Sequence, residues 1–307
     1  MEIFRLEMTT KRTIAITGAT GFLGRYLLSE FSVDSEVRAW YRTKPDSDFP
    51  FLSWFHGELG SKKSCYELLE NCDFLIHAAL YRPGSGFRGA EGDVLSFVEK
   101  NVLGSLQLFE AAKEIGVKRV VFMSTCAVHE QILDDRPLDE AHPLWPASFY
   151  GAHKAAIEKF IHAYGLGEKL CFCSLRPTGI YGIAQPIESS KWYSLVQDVV
   201  QGREVSCSRG GKEVHASDVA RACRILLETD REDEICGRSF NCYDRYISEF
   251  EVAQLARECS HSNSVVRGVQ TAPLHQIDTH KIRKFGMTFG GETLLSQTIE
   301  EMVRGIC

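Results

Sequence analysis

Three glycines stand within seven residues near the start of the chain, at Gly18, Gly21 and Gly24. The run before them, residues 13–17, is short and β-branched, which is typical of a buried parallel strand. After them, apolar residues recur at helical spacing over 22–27. The segment therefore predicts a strand, a tight turn and a helix, with something close to the main chain at the turn.

A turn of this kind suits a phosphate group. The first amides of a helix lack intrahelical partners, and the helix dipole places positive charge at the same end. Glycines let a pyrophosphate approach the main chain and let the helix pack against the strand. The turn favours a dinucleotide site, and the alternative is a tight turn that binds nothing.

The composition is that of a soluble globular protein. With 307 residues, 44% of them hydrophobic and 25% charged, the chain can form one large domain with a smaller lobe. A net charge of -6 without a dense Lys/Arg run argues against nucleic-acid and membrane partners, and no apolar stretch approaches transmembrane length. We expect a cytoplasmic protein that acts on a small molecule.

The eleven cysteines are scattered, and only Cys171 and Cys173 stand close together. The spacing matches neither a zinc site nor a disulfide framework. We interpret the cysteines as reduced, mostly buried thiols, and His153 and His162 as helix residues. The sequence therefore predicts no metal site.

Strand-like apolar runs alternate with amphipathic helical stretches through the first two thirds of the chain. The predicted strands cover 14–17, 36–41, 73–78, 119–124 and 170–176, and the longest predicted helices cover 94–115 and 150–164. Such alternation implies right-handed crossovers and a parallel sheet covered on both faces. The fold class is α/β, a Rossmann-like doubly wound parallel sheet.

The alternation changes after residue 182. A helix-like run covers 190–201, and a further helix after His215 has Ser217 or Asp218 as a natural N-cap. We expect a small C-terminal substrate-binding lobe interleaved with the sheet domain. The sheet domain takes 12–182 plus about 212–244, the lobe takes about 183–211 plus 245–307, and residues 1–11 form a flexible tail.

Several motifs occur in the order of a known family. GATGFLG (18–24), HAA (77–79), NVLGS (101–105), RPTGIYG (176–182) and VHASDVA (214–220) resemble those of the extended short-chain dehydrogenase/reductase family, in its NAD(P)-dependent epimerase/dehydratase group. The resemblance implies a Rossmann sheet, an NADP or NAD cofactor and pairing into a homodimer through the helices of 94–115 and 150–164. It places the cofactor against Gly18, Thr20, Gly21, Phe22, Leu23, Gly24, Arg42, Glu58, Leu59, Ala78, Ala79, Asn101, Tyr150, Lys154, Pro177 and Ile180.

The end of the second predicted strand bears on the choice between the two cofactors. A carboxylate there would bind the adenosine ribose of NAD, whereas an arginine accommodates the 2'-phosphate of NADP. Tyr41 stands at the expected acid position, followed by Arg42, with Lys44 nearby. This favours NADP, unless Arg42 and Lys44 are merely loop charges.

Tyr150 and Lys154 stand four residues apart on a predicted helix and therefore on one face. A phenol with a pKa of about 10 becomes an effective base near neutral pH only beside a cation, which requires roughly 4 kcal/mol of stabilisation. We expect Tyr150 to be the general acid/base and Lys154 to lower its pKa. An ordinary helix face is the alternative.

FMSTCAVHE follows a predicted strand, where the family has a serine or threonine that hydrogen-bonds the substrate oxygen. Alignment on Val128 puts Thr125 at that position, with Ser124 as the second choice. His129 and Glu130 replace the usual Tyr-Gly pair, and no Asp-Glu pair follows Thr125, which disfavours dehydration.

The predicted function is hydride transfer at a secondary alcohol or carbonyl of a sugar-like, possibly nucleotide-sugar, substrate. Gly211 stands where many nucleotide-sugar enzymes of the group have an arginine, although Arg209 and Lys212 flank it. The alternatives are an NADPH-dependent carbonyl reductase of a non-sugar molecule and a non-catalytic cofactor sensor. The glycine-rich loop of 80–89 is a candidate substrate lid, and the alternative is a merely disordered loop.

Overall fold

A seven-stranded parallel sheet forms the centre of the protein. The computed structural model describes residues 11–45, 49–84 and 91–307, so most of the predicted tail, and 85–89 of the predicted lid, lie outside the described residues. The strands are β1 (Thr13–Thr17), β2 (Glu36–Tyr41), β3 (Leu52–His56), β4 (Phe74–His77), β5 (Arg119–Met123), β6 (Cys171–Pro177), β7 (Gly179–Tyr181), β8 (Val205–Cys207), β9 (Gly210–His215), β10 (Ser239–Cys242), β11 (Arg245–Ser248) and β12 (Val266–Gly268).

The strand order of this sheet is β10-β6-β5-β4-β1-β2-β3. The direction of winding reverses between β1 and β4, and ligands of such folds bind outside the carboxyl ends of the strands at that point. The predicted doubly wound α/β fold is confirmed, and every predicted strand of the first two thirds is present. The sequence prediction missed β3, because this edge strand is half exposed and lacks a continuous apolar run.

Helices cover both faces of the sheet, as the crossovers require. They are α1 (Phe22–Phe31), α2 (Lys62–Leu69), α3 (Val94–Val98), α4 (Gly104–Ile115), α5 (Phe149–His162), α6 (Tyr193–Val200), α7 (Ala216–Glu228), α8 (Glu232–Ile235), α9 (Glu249–Ser260), α10 (His280–Arg283) and α11 (Gly291–Ile306). One apolar core lies between the sheet and α1 and α7, and another lies between the sheet and α2, α4 and α5. No helix in the described parts of the chain has both the length and the hydropathy to cross a membrane.

A third apolar core lies among α6, α9 and α11, with Val196, Val252 and Ile299 fully buried in it. These helices fall within the region that the sequence assigns to the lobe, and we propose the same division of the chain except for the α10 region. Ile282 and Met287, by contrast, pack in the core of the sheet. We therefore propose that the α10 region belongs with the sheet domain.

The N-cap of α7 differs from the sequence prediction. The capping residue is His215, whose Nδ1 accepts a hydrogen bond from the Ser217 amide at 3.2 Å. Asp218 lies inside the helix, fully buried, where its carboxylate accepts a bond from the Gly290 amide at 2.9 Å. Ser217 and Asp218 were therefore wrong as N-caps, because Asp218 is used to bind a distant segment.

Candidate active site

A cleft of about 890 Å³ opens at the carboxyl ends of the central strands. Nearly all the residues predicted to bind the cofactor or act in catalysis line it, namely Gly18, Thr20, Gly21, Phe22, Leu23, Gly24, Arg42, Glu58, Leu59, Ala78, Ala79, Ser124, Thr125, Tyr150, Lys154, Pro177 and Ile180. Asn101 is the predicted residue that does not line it. The fold thus brings together residues from seven separate segments.

The structure gives a different reason for glycine at each of the three positions of the first turn. Gly18 has φ +75°, and a Cβ there would lie 2.7 Å from the main chain of Ala78. A Cβ on Gly24 would lie 2.3 Å from the carbonyl oxygen of Ala19, so the helix can approach the turn only without a side chain. Among the described residues, a Cβ on Gly21 would have one atom within 4 Å, the carbonyl oxygen of Gly18 at 3.3 Å. The fold needs Gly18 and Gly24, whereas Gly21 leaves space that a ligand would fill.

The amino end of α1 faces this space. Gly21 is its N-cap and offers no side-chain hydrogen bond to the helix. Because the first amides of a helix have no intrahelical acceptor, those of Phe22 and Leu23 are suited to bind an anion. The turn therefore fits the pyrophosphate of a dinucleotide.

The far end of the cleft is formed by the ends of β2 and β3. Trp40, Tyr41 and Arg42 line it from β2, and Glu58 and Leu59 line it after β3. No carboxylate stands at the tip of β2, and the exposed side chain of Arg42 makes no ion pair with the residues that the structure describes. This end of the cleft fits the adenosine of a dinucleotide.

Lys154 lies buried beneath the middle of the cleft. Its ammonium donates a hydrogen bond to the Met123 carbonyl at 2.7 Å and stands 4.6 Å from the centre of the Phe122 ring. Burial lowers the pKa of Lys154 to about 7, and the nearby Glu158 carboxylate opposes that change. Lys154 is thus a fixed cation whose charge is easily lost.

Tyr150 and Thr125 line the cleft on the same side as Lys154. Tyr150 lies in the first turn of α5, half-buried, one helical turn before Lys154. Thr125 follows β5, and its hydroxyl accepts a hydrogen bond from the Ala127 amide at 3.1 Å, so the hydroxyl keeps its own proton for donation. The predicted spacing of tyrosine, lysine and threonine is therefore realised around one space.

Ser124 has a different environment from Thr125. Its hydroxyl donates to the Glu158 carboxylate at 2.5 Å, and Ser239 donates to the same carboxylate at 3.2 Å. The guanidinium of Arg176 donates to Glu158 at 2.6 Å, and both of these side chains are buried. Burial would raise the pKa of Glu158, but the Arg176 charge and these hydrogen bonds lower it. Ser124 is thereby committed to a buried network.

Asn101 is buried behind the cleft wall. Its side-chain oxygen accepts from the Tyr81 amide at 2.8 Å, and its side-chain nitrogen donates to the Tyr81 carbonyl at 2.9 Å and the Phe97 carbonyl at 3.0 Å. It lies in a π-helical turn, Glu99–Leu103, of a kind frequent at functional sites. In this position Asn101 holds the first residues of the 80–89 loop, and direct contact with the cofactor stays a prediction.

The open end of the cleft includes residues that sequence reasoning missed. Ile132, Leu138 and Ile277 line it, together with the half-buried Lys212. Leu138 and Ile277 come together through an isolated β-bridge that no local pattern predicts. Of these four residues, Lys212 is the one with a signal in the sequence, because it follows Gly211, the position where many nucleotide-sugar enzymes of the group have an arginine. Burial lowers the pKa of the Lys212 ammonium.

Comparison with known proteins places the chain in a family. The sequence matches the model of the "NAD dependent epimerase/dehydratase family" over residues 14–242. It is 30% identical over 232 residues to a 4-hydroxy-2-methyl-3-oxo-4-farnesyl-3,4-dihydroquinoline-1-oxide ketoreductase of Stigmatella aurantiaca, covering 70% of this chain and 64% of the relative. It is 27% identical over 169 residues to a UDP-glucose 4-epimerase of Rhizobium meliloti (strain 1021), covering 53% and 50%. The aligned part is thus 64% and 50% of the length of these curated relatives.

Solved structures share the fold over nearly the whole chain. A UDP-glucose 4-epimerase of Thermotoga maritima, solved with UDP-glucose, has a TM-score of 0.77 at 19% identity, covering 96% of this chain and 100% of that one. MoeE5, solved with UDP-glucuronic acid and NAD, has a TM-score of 0.73 at 24% identity, with coverage of 96% and 100%. Since the family model covers most of the chain, and the motifs and sheet order agree with it, the protein belongs to the NAD(P)-dependent epimerase/dehydratase family of extended short-chain dehydrogenases/reductases.

Proposed function

We propose that this protein is an NAD(P)-dependent oxidoreductase or epimerase that acts at a secondary alcohol or carbonyl of a nucleotide-sugar substrate. One observation carries the proposal: Thr125, Tyr150 and Lys154 line the same cleft as the glycine turn. Relatives named UDP-glucose 4-epimerase support the substrate class. Lys212, at the open end of the cleft, is our candidate for the cation that contacts the diphosphate.

The bound nicotinamide supplies the chemistry of accepting or returning a hydride. In the oxidation direction the Tyr150 phenolate would accept the substrate hydroxyl proton, and in the reduction direction the Tyr150 hydroxyl would return it to the carbonyl oxygen. Thr125 donates a hydrogen bond to the same substrate oxygen and orients it. Lys154, when protonated, favours the phenolate form of Tyr150.

For the cofactor we propose NADP over NAD, on the basis of Arg42. An arginine at the tip of β2 can bind the 2'-phosphate through charge-assisted hydrogen bonds, and no carboxylate stands there to accept the ribose hydroxyl of NAD. Calorimetric titration of the cofactor-stripped protein with NADPH, NADP, NADH and NAD tests this preference. Tighter binding of NAD than of NADP would contradict it.

The substrate proposal is tested by incubating the protein with UDP-glucose, UDP-N-acetylglucosamine and UDP-glucuronic acid, with and without added cofactor. Sugar products are followed by NMR and net redox change by nicotinamide absorbance. Conversion at a sugar carbon, lost in Tyr150→Phe, is the expected result. Conversion that survives in Tyr150→Phe would contradict the mechanism, and failure of all three sugars to bind would contradict the substrate class.

We further propose a homodimer formed through the 94–115 segment and α5. Leu95, Leu103 and Phe160 lie on these helices with 79%, 51% and 42% of their surfaces exposed. Apolar side chains of this size on neighbouring helices are typical of a protein interface. We also propose a cytoplasmic location, which the eleven free thiols support.

A further inference from the structure

Two thiols and a carboxylate meet at the amino end of β6, away from the cleft. Cys171 is the first residue of β6, Glu232 begins α8, and Cys236 directly follows α8. One ligand atom from each lies within 4.8 Å of the other two. Cys171 is buried, Cys236 is half-buried and Glu232 is exposed. We propose that Cys171, Glu232 and Cys236 form a zinc-binding site.

The main chain already holds the elements of this site in place. The Gly237 amide donates to the Phe172 carbonyl at 2.7 Å, which joins the end of α8 to β6. The Cys236 amide donates to the Glu232 carbonyl at 3.1 Å, which fixes the two α8 ligands relative to each other. A metal ion would therefore meet a largely formed set of ligands, and binding needs little rearrangement.

The ligand chemistry favours zinc over other common divalent ions. Zn²⁺ binds thiolate and carboxylate in tetrahedral geometry, with bonds of about 2.3 Å to sulfur and 2.0–2.2 Å to oxygen. Mg²⁺ and Ca²⁺ prefer oxygen ligands, so two thiolates select against them. Three protein ligands leave the fourth position to a water molecule, which the exposed side of Glu232 allows.

The surroundings balance the charge of such a centre. Zn²⁺ with two thiolates and one carboxylate carries a net charge of -1, and the Arg119 guanidinium lies 3.5 Å from Glu232. Arg119 is itself fixed by donating to the Leu227 carbonyl at 2.9 Å, so it can stay beside the carboxylate. Both Arg119 and Glu232 line a surface groove of about 370 Å³, so the carboxylate of the site is reachable from solvent.

The site would act on stability and not on catalysis. Cys171 and Pro177 are the two ends of β6, and Pro177 lines the cleft, so the two sites are about 20 Å apart at the usual rise of a strand. Zinc would tie α8 to the sheet beside β10. The proposal is therefore independent of the proposed function.

The test uses the full-length, chelator-treated and fully reduced protein, titrated with Co²⁺ and then with Zn²⁺. Thiolate coordination releases the thiol protons and gives Co²⁺ a charge-transfer absorption and the visible bands of a tetrahedral ion, and Zn²⁺ then displaces Co²⁺ and removes these bands. Cys236→Ser and Glu232→Gln remove ligands. Their matched controls are Cys259→Ser and Glu234→Gln, the latter on the same turn of α8.

We expect a single site per chain, with zinc affinity lowered more than 100-fold in Cys236→Ser, beyond the roughly 10–100-fold cost of losing an outer-shell partner. Both controls should keep wild-type affinity, and zinc should raise the melting temperature of the wild type but not of Cys236→Ser. Circular dichroism confirms that each variant is folded. Lack of tetrahedral Co²⁺ bands in the reduced wild type, or equal zinc affinity in Cys236→Ser and Cys259→Ser, would overturn the proposal.

Discussion

The Lys154 ammonium donates a hydrogen bond to the Met123 carbonyl at 2.7 Å, at the point where β5 ends and the segment with Ser124 and Thr125 begins. The bond ties α5, which carries Tyr150, to the strand that presents Thr125. It also keeps a cation out of water, and burial lowers the pKa of that cation to about 7. The charge that the proposed chemistry needs is therefore unfavourable for the folded protein without cofactor.

This cost predicts how Lys154→Met changes stability with pH. The pKa of Lys154 is about 7 when folded, against 10.5 for its ordinary value, so the unfolded chain binds more protons between these values. Wild-type stability therefore rises with pH across that window, and the penalty is fully present below pH 7. We expect the free energy of unfolding of Lys154→Met, taken relative to that of the wild type, to be higher at pH 6 than at pH 9.5 by about 1 kcal/mol or more.

Urea denaturation of the cofactor-free proteins at the two pH values measures this difference. Lys159→Met is the matched control, because Lys159 is exposed on the same helix. Lys154→Met should also lose activity by at least about 10²-fold, whereas Lys159→Met should not. An identical stability difference at both pH values would show that Lys154 carries no buried charge.

Loss of the Thr125 hydroxyl should mainly lower activity, whereas loss of the neighbouring Ser124 hydroxyl should mainly lower stability. Thr125→Val removes the proposed donor to the substrate oxygen and should lower kcat by roughly 10²–10³-fold, while the protein stays folded although the Ala127 amide loses its acceptor. Thr125→Ser keeps the hydroxyl and should retain most activity. Ser124→Ala removes a hydrogen bond to buried Glu158 and should cost about 1 kcal/mol of stability, with a smaller effect on kcat. The opposite pattern would assign the substrate contact to Ser124.

The local sequence pattern was sufficient to predict the central strands and the glycine turn. Residues 13–24 predict strand, turn and helix because the apolar period and the glycines act over a few neighbours. The position of Ser124 against Glu158, the double hydrogen bond of Asn101 to Tyr81, and the approach of Ile277 to Leu138 all depend on segments distant in sequence. Such tertiary contacts leave no periodic signal. The sequence therefore places Ser124 and Asn101 near the site without giving their partners, and it gives no sign that Leu138 and Ile277 line the cleft.

An alanine substitution should mainly weaken cofactor binding at Gly21 and mainly lower stability at Gly24. Gly21→Ala adds a methyl group into the space proposed for the pyrophosphate, so we expect NADPH affinity to fall at least about tenfold, with stability changed by less than about 1 kcal/mol. Gly24→Ala places its methyl group 2.3 Å from the Ala19 oxygen and should destabilise the fold by more than about 2 kcal/mol. Calorimetry with NADPH and urea denaturation measure the two effects, and a folded Gly21→Ala protein with full NADPH affinity would contradict the placement.

Cofactor preference should depend on Arg42. Arg42→Ala should weaken NADPH binding by about tenfold or more, through loss of charge-assisted hydrogen bonds to the 2'-phosphate, and leave NADH binding nearly unchanged. Lys44→Ala, two residues further along the same loop, is the control and should affect NADPH much less. Calorimetric titration of each variant measures the four affinities. Unchanged NADPH affinity in Arg42→Ala would end the case for NADP.

The proposed dimer predicts the effect of a charge on the 94–115 segment. Leu103→Glu places a carboxylate on a half-exposed apolar position, and burying that charge in an interface without a partner costs several kcal/mol. We expect the variant to be monomeric at concentrations where the wild type is a dimer, as measured by light scattering after size-exclusion chromatography. Val269→Glu, at a site 70% exposed in a different region, should leave the dimer intact. Dissociation by Val269→Glu alone would place the interface elsewhere. A wild-type protein that is monomeric at all concentrations measured would exclude the dimer.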